Sequence, residues 1–519
     1  MLMNKHRNNI AWVSILLWLA ILAVPPPVVA ITISEEEKLS EKFMREVRRH
    51  FTFIEDPVLL NYVNSVGKRI IEVLPPQPYN FRFFLIKEDV YNAFAGPGGV
   101  IFINSGLLAA MESPDDLAGI LAHEITHVLS RHISDRIDRS KQIGIVTLAG
   151  LVAAIALGAA GEGSAANAMM VGSMATGQSM ALAYSREDEM QADQLGLKIL
   201  IKAGYHPAGL VSMMKKIRQK QWYDTNQIPT YLRTHPASEE RMVYISAWIE
   251  RQKDLPEYLS EKGRADFDWI RTRVGALYGE KNQMLAHFSG EVKKRPEDPL
   301  AHYGYGLILG RSGRFGEAAV HLKKTIARRA FDAQLLIDLG RVYFLDGRFS
   351  EALGTLEGAV AIDPVNPDGL YYLGRTQLAL NKTSEAIAAF ENLLRINPNH
   401  RDLMYFAGQA FGQQGNMEEA YYFLGRNYYN QGKIKTAIVQ LEKAMDLATK
   451  DERKSEIETL LKELRAEQAK QRTSSNEEIV SIDAYRLTIV LLLRLFQPYR
   501  RGEIHYIRFH LIWWVNCQP

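Results

Sequence analysis

The chain has 519 residues, enough for two or three domains of about 100–200 residues, and a net charge of +3 with no concentrated basic block argues against a nucleic-acid partner. Its single cysteine, Cys517, excludes an internal disulfide framework and a cysteine-based zinc site. A bound metal would therefore need histidine and carboxylate ligands.

Residues 1–30 read as a cleavable signal peptide. Lys5 and Arg7 precede an apolar run from Ile10 to Val24, and Val28-Val-Ala30 puts small residues where a signal peptidase inspects them. Cleavage after Ala30 would deliver the chain to a bacterial periplasm. The run is shorter than the roughly 20 residues of a spanning helix, and an uncleaved anchor is the alternative. Helices are expected over 34–50 and 57–74, the second stopping at Pro75-Pro76. Strands are expected over 80–87 and 100–104. Between them, Asn92, Ala93, Phe94 and Ala95 are extended in character and run into the turn-forming Gly96-Pro-Gly-Gly99. Such an edge could pair with the backbone of an extended substrate; an ordinary hairpin is the other reading.

Ser113-Pro-Asp-Asp116 is an N-cap followed by proline and two acids, and Leu117, Ile120, Leu121, Ile125, Val128 and Leu129 then recur at helical spacing. Within this helix lies His123-Glu-Ile-Thr-His127. Four residues turn through about 400°, so the two imidazoles share a face and can converge on one ion. Glu124 stands one residue round, placed to take a proton from a water on that ion without ligating it. Downstream, Ile143–Ala160 is almost wholly apolar, and 161–178 is rich in Gly, Ala, Ser and Met. The pattern suits a helical hairpin that covers a site or packs on a partner, with a membrane-dipping element as the alternative.

Ser185 caps a helix expected to run to Ala203. Glu189 and Asp193 lie one turn apart on the stripe continued by Gly196, Leu197 and Leu200, and so face inward, where a carboxylate needs a cation or donors. Glu189 is the candidate third ligand and Asp193 its supporting neighbour, able to hold a ligating imidazole or move a proton. Glu187 and Asp188 are read as solvated first-turn acids. His235 precedes Pro236, which is expected to open a helix through Trp248. Arg241 on that helix has the fork to pair with a buried carboxylate such as Asp193, and either His235 or Arg241 could stabilise an oxyanion.

The C-terminal half repeats. Gly306, Gly340, Gly374 and Gly408 are 34 residues apart, each followed by alanine (Ala318, Ala352, Ala386, Ala420) and then by Leu322, Leu356, Phe390 or Leu424. This is the tetratricopeptide pattern, an α-solenoid that presents a surface to protein partners. A degenerate unit around Met284, Phe288 and Pro296 precedes it. A half-step at Gly425, Ala437 and Leu441 implies that the helix over 418–431 serves two neighbours. A tail from 473 to 519 has no legible pattern.

Five features in this order, Asn92-Ala-Phe-Ala with Pro97-Gly-Gly, His123-Glu-x-x-His127 followed by His132, Ser185-Arg-x-x-Glu189-x-x-Ala-Asp193, Gly204-Tyr-x-Pro207, and His235-Pro-x-x-x-x-Arg241, resemble the zinc metallopeptidase family that includes the CAAX prenyl proteases. The signal peptide and repeats make the chain similar to the family's periplasmic branch. The resemblance implies a mainly α fold, with a zincin-like metalloprotease domain over 34–255 that holds a small β-hairpin or sheet, then a tetratricopeptide domain over 265–465. It implies one zinc per chain on His123, His127 and Glu189, with Glu124 as general base, Asp193 as proton donor or supporting partner, and His235 near the metal, where it can take the water's place and keep the enzyme latent. It further implies that stalled outer-membrane or periplasmic proteins are substrates and that the repeats contact outer-membrane assembly machinery. Thr126, where glycine is commoner, departs from the family pattern but lies off the ligand face. A metzincin reading fits less well, since Ser130 and Ile133 stand where it needs glycine and histidine. The rival readings are a periplasmic chaperone or scaffold with a latent zinc site, and a membrane-associated protease using Ile143–Ala160.

Overall fold

The computed structural model describes residues 31–135, 184–223, 231, 234–235, 239–257, 261–398, 400 and 402–469. The expected signal peptide, the apolar stretch 143–181, Pro236 and the tail 473–519 lie outside them. Among the described residues no helix is long and apolar enough to cross a membrane. Among the described residues the fold is mainly helical, with one small sheet near the N-terminus followed in the chain by paired helices, and it divides into compact units at 1–372 and 373–519.

Helix α1 (Ile33–His50) begins with a capping box between Thr32 and Glu35. After β1 (Phe53–Ile54), α2 (Pro57–Ile71) starts where Asp56 accepts the amides of Val58 and Leu59. It ends three residues earlier than expected, short of the proline pair that disfavours helix in the residues before it. Strands β2 (Arg82–Ile86), β3 (Ala93–Gly96) and β4 (Val100–Asn104) complete a sheet of order β1-β2-β4-β3, in which β2 and β4 are parallel and the other pairs antiparallel.

Both faces of this sheet are buried, so its strands read as nearly continuous apolar runs. On one face Phe84, Phe102 and Phe94 stand in register across three strands, with ring centroids 5.4 and 4.8 Å apart, and pack with Phe43 and Val47 of α1. On the other, Leu85, Ile101, Ile103, Ala93 and Ala95 meet α2 and the helices that follow. The β3–β4 turn needs glycine because Gly98 and Gly99 both have φ near +75° (73° and 81°). Buried Glu36 of α1 accepts the Gly98 amide at 3.2 Å and so pins the hairpin tip.

Helices α3 (Ser105–Ala110), α4 (Pro114–Leu129), α5 (Arg186–Lys202), α6 (Ala208–Tyr223) and α7 (Glu239–Glu250) follow. Ser113 and Ser185 cap α4 and α5 as the sequence implies. α4 packs on β3, whose small Ala93 and Ala95 allow the approach, and on α5 and α6. Gly196 lies where α5 crosses α4, next to the Ala122 carbonyl.

Helix α8 (Glu261–Tyr278) lies beyond the expected 255 boundary, yet Phe267, Ile270 and Val274 belong to the same core as α2 and α4. Its Arg273 is fully buried and donates to Asp56 at 2.8 Å, Asp338 at 2.6 Å and the Tyr303 hydroxyl at 2.7 Å. One guanidinium thus ties the α2 cap to two repeat helices.

The repeat helices are α9 (Lys281–Lys294), α10 (Pro299–Arg311), α11 (Phe315–Ile326), α12 (Ala333–Leu345), α13 (Phe349–Ile362), α14 (Pro367–Ala379), α15 (Thr383–Ile396), α16 (Leu403–Gln414), α17 (Met417–Asn430) and α18 (Ile434–Leu447). Each repeat glycine lies under the large residue of its partner helix. A Cβ on Gly306, Gly340 or Gly374 would come within 2.9, 2.5 or 2.5 Å of Leu322, Leu356 or Phe390. Phe288 of the degenerate unit lies over Gly304 of the following helix, α10. In the half-step, Gly408 lies under Leu424 and Gly425 under Leu441, so α17 serves as second helix of one pair and first of the next.

Candidate metal centre

His123 and His127 project from one face of α4 with their Nε2 atoms 3.1 Å apart. Glu189 reaches in from α5, Oε2 lying 3.4 Å from Nε2 of His123 and Oε1 3.4 Å from Nε2 of His127. His235 enters from the segment before α7, its Nδ1 2.9 Å from Glu189 Oε1 and 3.3 Å from His123 Nε2. The four side chains are buried, and one ligand atom from each lies within 4.8 Å of the others. A tetrahedral ion with bonds of about 2.0–2.1 Å spaces its ligand atoms ~3.3 Å apart. The observed separations fit that spacing, and the donor set of imidazoles and one carboxylate suits zinc.

The supporting atoms fix this geometry. Behind His123, Nδ1 lies 3.1 Å from Asp193 Oδ1. Arg241 grips Asp193 with two parallel bonds of 2.8 and 2.7 Å and lies against Glu189 as well, while the Tyr244 hydroxyl donates to Asp193. The Tyr184 ring stacks on His127 at 3.8 Å and the Tyr231 ring on His235 at 4.6 Å. The Thr234 carbonyl accepts the Tyr184 amide, joining the His235 segment to the start of α5.

These contacts set the charges. Burial pushes the His123 imidazole down, but Glu189 and Asp193 outweigh it and carry its pKa up to about 9. For His127, burial prevails and holds it well below the ordinary range, despite Glu189. Burial raises Glu189 and Asp193, but the histidines, and for Asp193 also Arg241, overcome it and keep both acids ionised. Glu124 is raised, chiefly by burial and also by Glu189, against His235, His123 and the Ala95 amide. Its carboxylate makes no side-chain hydrogen bond, and the nearest imidazole atom recorded is His235 Nε2 at 3.6 Å from Oε1.

The sequence-derived residues therefore converge, with some roles sorted by geometry. Asp193 lies behind the His123 ring, 3.1 Å from its Nδ1, in the place of a residue that supports that ligand. Arg241 pairs with two carboxylates, Asp193 and Glu189, which fits the supporting place. His235 stands among the ligand atoms. Ala93 and Ala95 lie on the edge strand facing α4, whereas the Phe94 ring turns to the opposite face and stacks on Phe102. Asn92 is buried, and its carbonyl accepts the Asn104 amide as an extension of the ladder. Asp188 is no solvated acid: it closes the Ser185 capping box and lies 3.7 Å from His132. Tyr184 carries no sequence signal, whereas Tyr231 stands four residues before His235 and Tyr244 three residues after Arg241, spacings that bring side chains together on a helical turn.

Residues 59–249 match peptidase family M48, and tetratricopeptide repeat families match 306–367, 344–405 and 418–451. The beta-barrel assembly-enhancing proteases of Yersinia pestis and Escherichia coli (strain K12) are each 26% identical to the chain, over 302 and 309 residues, or 58% and 59% of this chain. The chain spans only 61% and 62% of the length of those relatives. The mitochondrial metalloendopeptidase OMA1 of Saccharomyces cerevisiae is 30% identical over 250 residues, covering 40% of this chain and 69% of that protein.

Proposed function

Since this chain belongs to peptidase family M48 and carries tetratricopeptide repeats, we propose that it is a zinc-dependent endopeptidase of the cell envelope. The single observation that carries this reading is the buried convergence of His123, His127, Glu189 and His235 beside the Glu124 carboxylate, which no side chain hydrogen-bonds. His123, His127 and Glu189 would hold one zinc ion. When bound, the ion supplies Lewis-acid chemistry, making a water acidic enough to lose its proton near pH 7 and polarising the scissile carbonyl.

The chain's own residues do the rest. Glu124 accepts the proton and returns it to the leaving amine; its raised pKa brings it nearer the operating pH, where such transfer works best. Asp193, held by Arg241 and Tyr244, keeps the His123 ring turned so that Nε2 faces the site. The outer edge of β3, with Ala93 and Ala95 facing α4, would receive an extended substrate as an added strand. His235 holds the fourth ligand place and must withdraw before a water can enter, so the arrangement is latent. Export to the periplasm, action on misassembled outer-membrane or periplasmic proteins, and contact of the repeats with the assembly machinery are part of the proposal; the first rests on the signal-like pattern of residues 1–30, and a link to beta-barrel assembly is supported by the names of the bacterial relatives.

The test combines zinc analysis with digestion of an unfolded casein-type substrate. Wild type and Glu124→Gln should each carry one zinc, while the variant loses roughly 10²–10⁴-fold in cleavage rate. His235→Ala should cut faster than wild type; a slower rate would assign His235 to the chemistry instead. Metal-free wild type, or full cleavage by Glu124→Gln, would overturn the enzyme reading. The closed site also favours a second reading, a chaperone or scaffold acting through its repeats, which complementation by Glu124→Gln would support.

A further inference from the structure

Helix α5 backs one ligand directly, through Asp193 behind His123. The other ligand, His127, has a different partner. Its Nε2 faces the cluster, so its proton must sit on Nδ1 whenever Nε2 donates a lone pair to an ion. That Nδ1 lies 2.9 Å from Nδ1 of His132, which is buried just beyond the end of α4.

Two facing ring nitrogens can share one proton in either sense, and only one sense leaves Nε2 of His127 free to ligate. The far side of His132 selects it. Its Nε2 is 2.9 Å from Gln191 Oε1, an amide oxygen that can only accept, with Asp188 Oδ1 further off at 3.7 Å. The His132 proton therefore belongs on Nε2, which leaves Nδ1 as the acceptor for the Nδ1–H of His127.

We propose that His132 is a positioning residue that fixes the tautomer and ring orientation of His127 for metal binding, as the middle member of a relay ending at Gln191 and Asp188. This inference rests on the metallopeptidase reading. It gives α5 a second task. The helix supplies the ligand Glu189 and, from the residues around it, the support behind both imidazoles: Asp193 for His123, and Asp188 with Gln191, by way of His132, for His127.

The test uses the full chain and zinc competition with a chromophoric chelator. Histidine Nδ1 and asparagine Oδ1 occupy equivalent places on the side chain, so His132→Asn keeps an acceptor there, whereas His132→Leu fills similar volume without one. Loss of such a partner typically weakens metal binding about 10–100-fold. That loss is expected for His132→Leu, with His132→Asn within about threefold of wild type. Equal affinity in wild type and His132→Leu, or equal weakness in both variants, would overturn the proposal. Should the leucine variant fail to fold, ¹⁵N imidazole shifts of the zinc-loaded wild type decide, with His132 assigned from the asparagine spectrum: protonated Nε2 supports the relay and protonated Nδ1 refutes it. If wild type itself binds no zinc, the metallopeptidase reading fails first.

Discussion

Arg241 shows what holds a cluster of buried charges together. Its guanidinium faces Asp193 and Glu189, all three side chains almost fully enclosed. Removing one partner from such a group leaves the others uncompensated, which costs about 3–5 kcal/mol. Arg241→Ala should lose stability of that order in urea titration and bind zinc more weakly, since Asp193 would no longer be held behind His123; a loss under about 1 kcal/mol would contradict the buried pairing. At this scale the sequence was informative where chemistry follows helical period. The i, i+4 spacing of His123 and His127 and the inward stripe of Glu189 and Asp193 both reappear in space. Tyr184 on His127 and Asp188 near His132 were not legible, because those partners lie more than fifty residues apart and no period marks them, and Tyr231 stands before His235 in a stretch whose local pattern names no partner.

Among the elements, the repeat glycines separate packing from backbone freedom. Gly340 sits under Leu356, where a Cβ would stand 2.5 Å from Leu356 Cγ, while Gly354 on α13 faces open space. Gly340→Ala is expected to destabilise by about 1–3 kcal/mol through overpacking. Gly354→Ala should stabilise by about 0.5–1 kcal/mol, because alanine loses less backbone entropy in a helix. Thermal unfolding of the two variants checks both signs. The 34-residue spacing made these helices readable, since a small residue must recur wherever a large one from the partner helix comes down on it. Strand β1, of two residues, and α3, of six, were not foreseen because neither is long enough to display a period. The buried strands β2 and β4 were readable from composition and length.

At the scale of the whole molecule, the Arg273 junction couples parts that the sequence divides. Nearby, Asp368 on α14 is pushed up to about 6, first by burial and then by Asp56, against Arg341 and Arg273. A carboxyl whose folded pKa exceeds its unfolded value binds its proton more tightly when folded. Its stabilising effect is therefore full below about pH 4 and lost as the pH rises through about 6. Wild type should weaken relative to Asp368→Asn over that window, as read by urea midpoints; parallel pH profiles would refute the assignment. Sequence patterning set the catalytic half to end near 255, a boundary drawn where the motifs stop, and periodicity alone could not reveal that α8 sends Phe267, Ile270 and Val274 back into the preceding core.

That interlock bears on dissection of the gene. A fragment cut at 255 would open a hydrophobic slot where those three side chains belong and leave the Asp56 cap without its guanidinium. The shortest excised piece that keeps both must extend through α8 to Tyr278, and one that also gives Arg273 its Asp338 partner must carry the first repeats along with it.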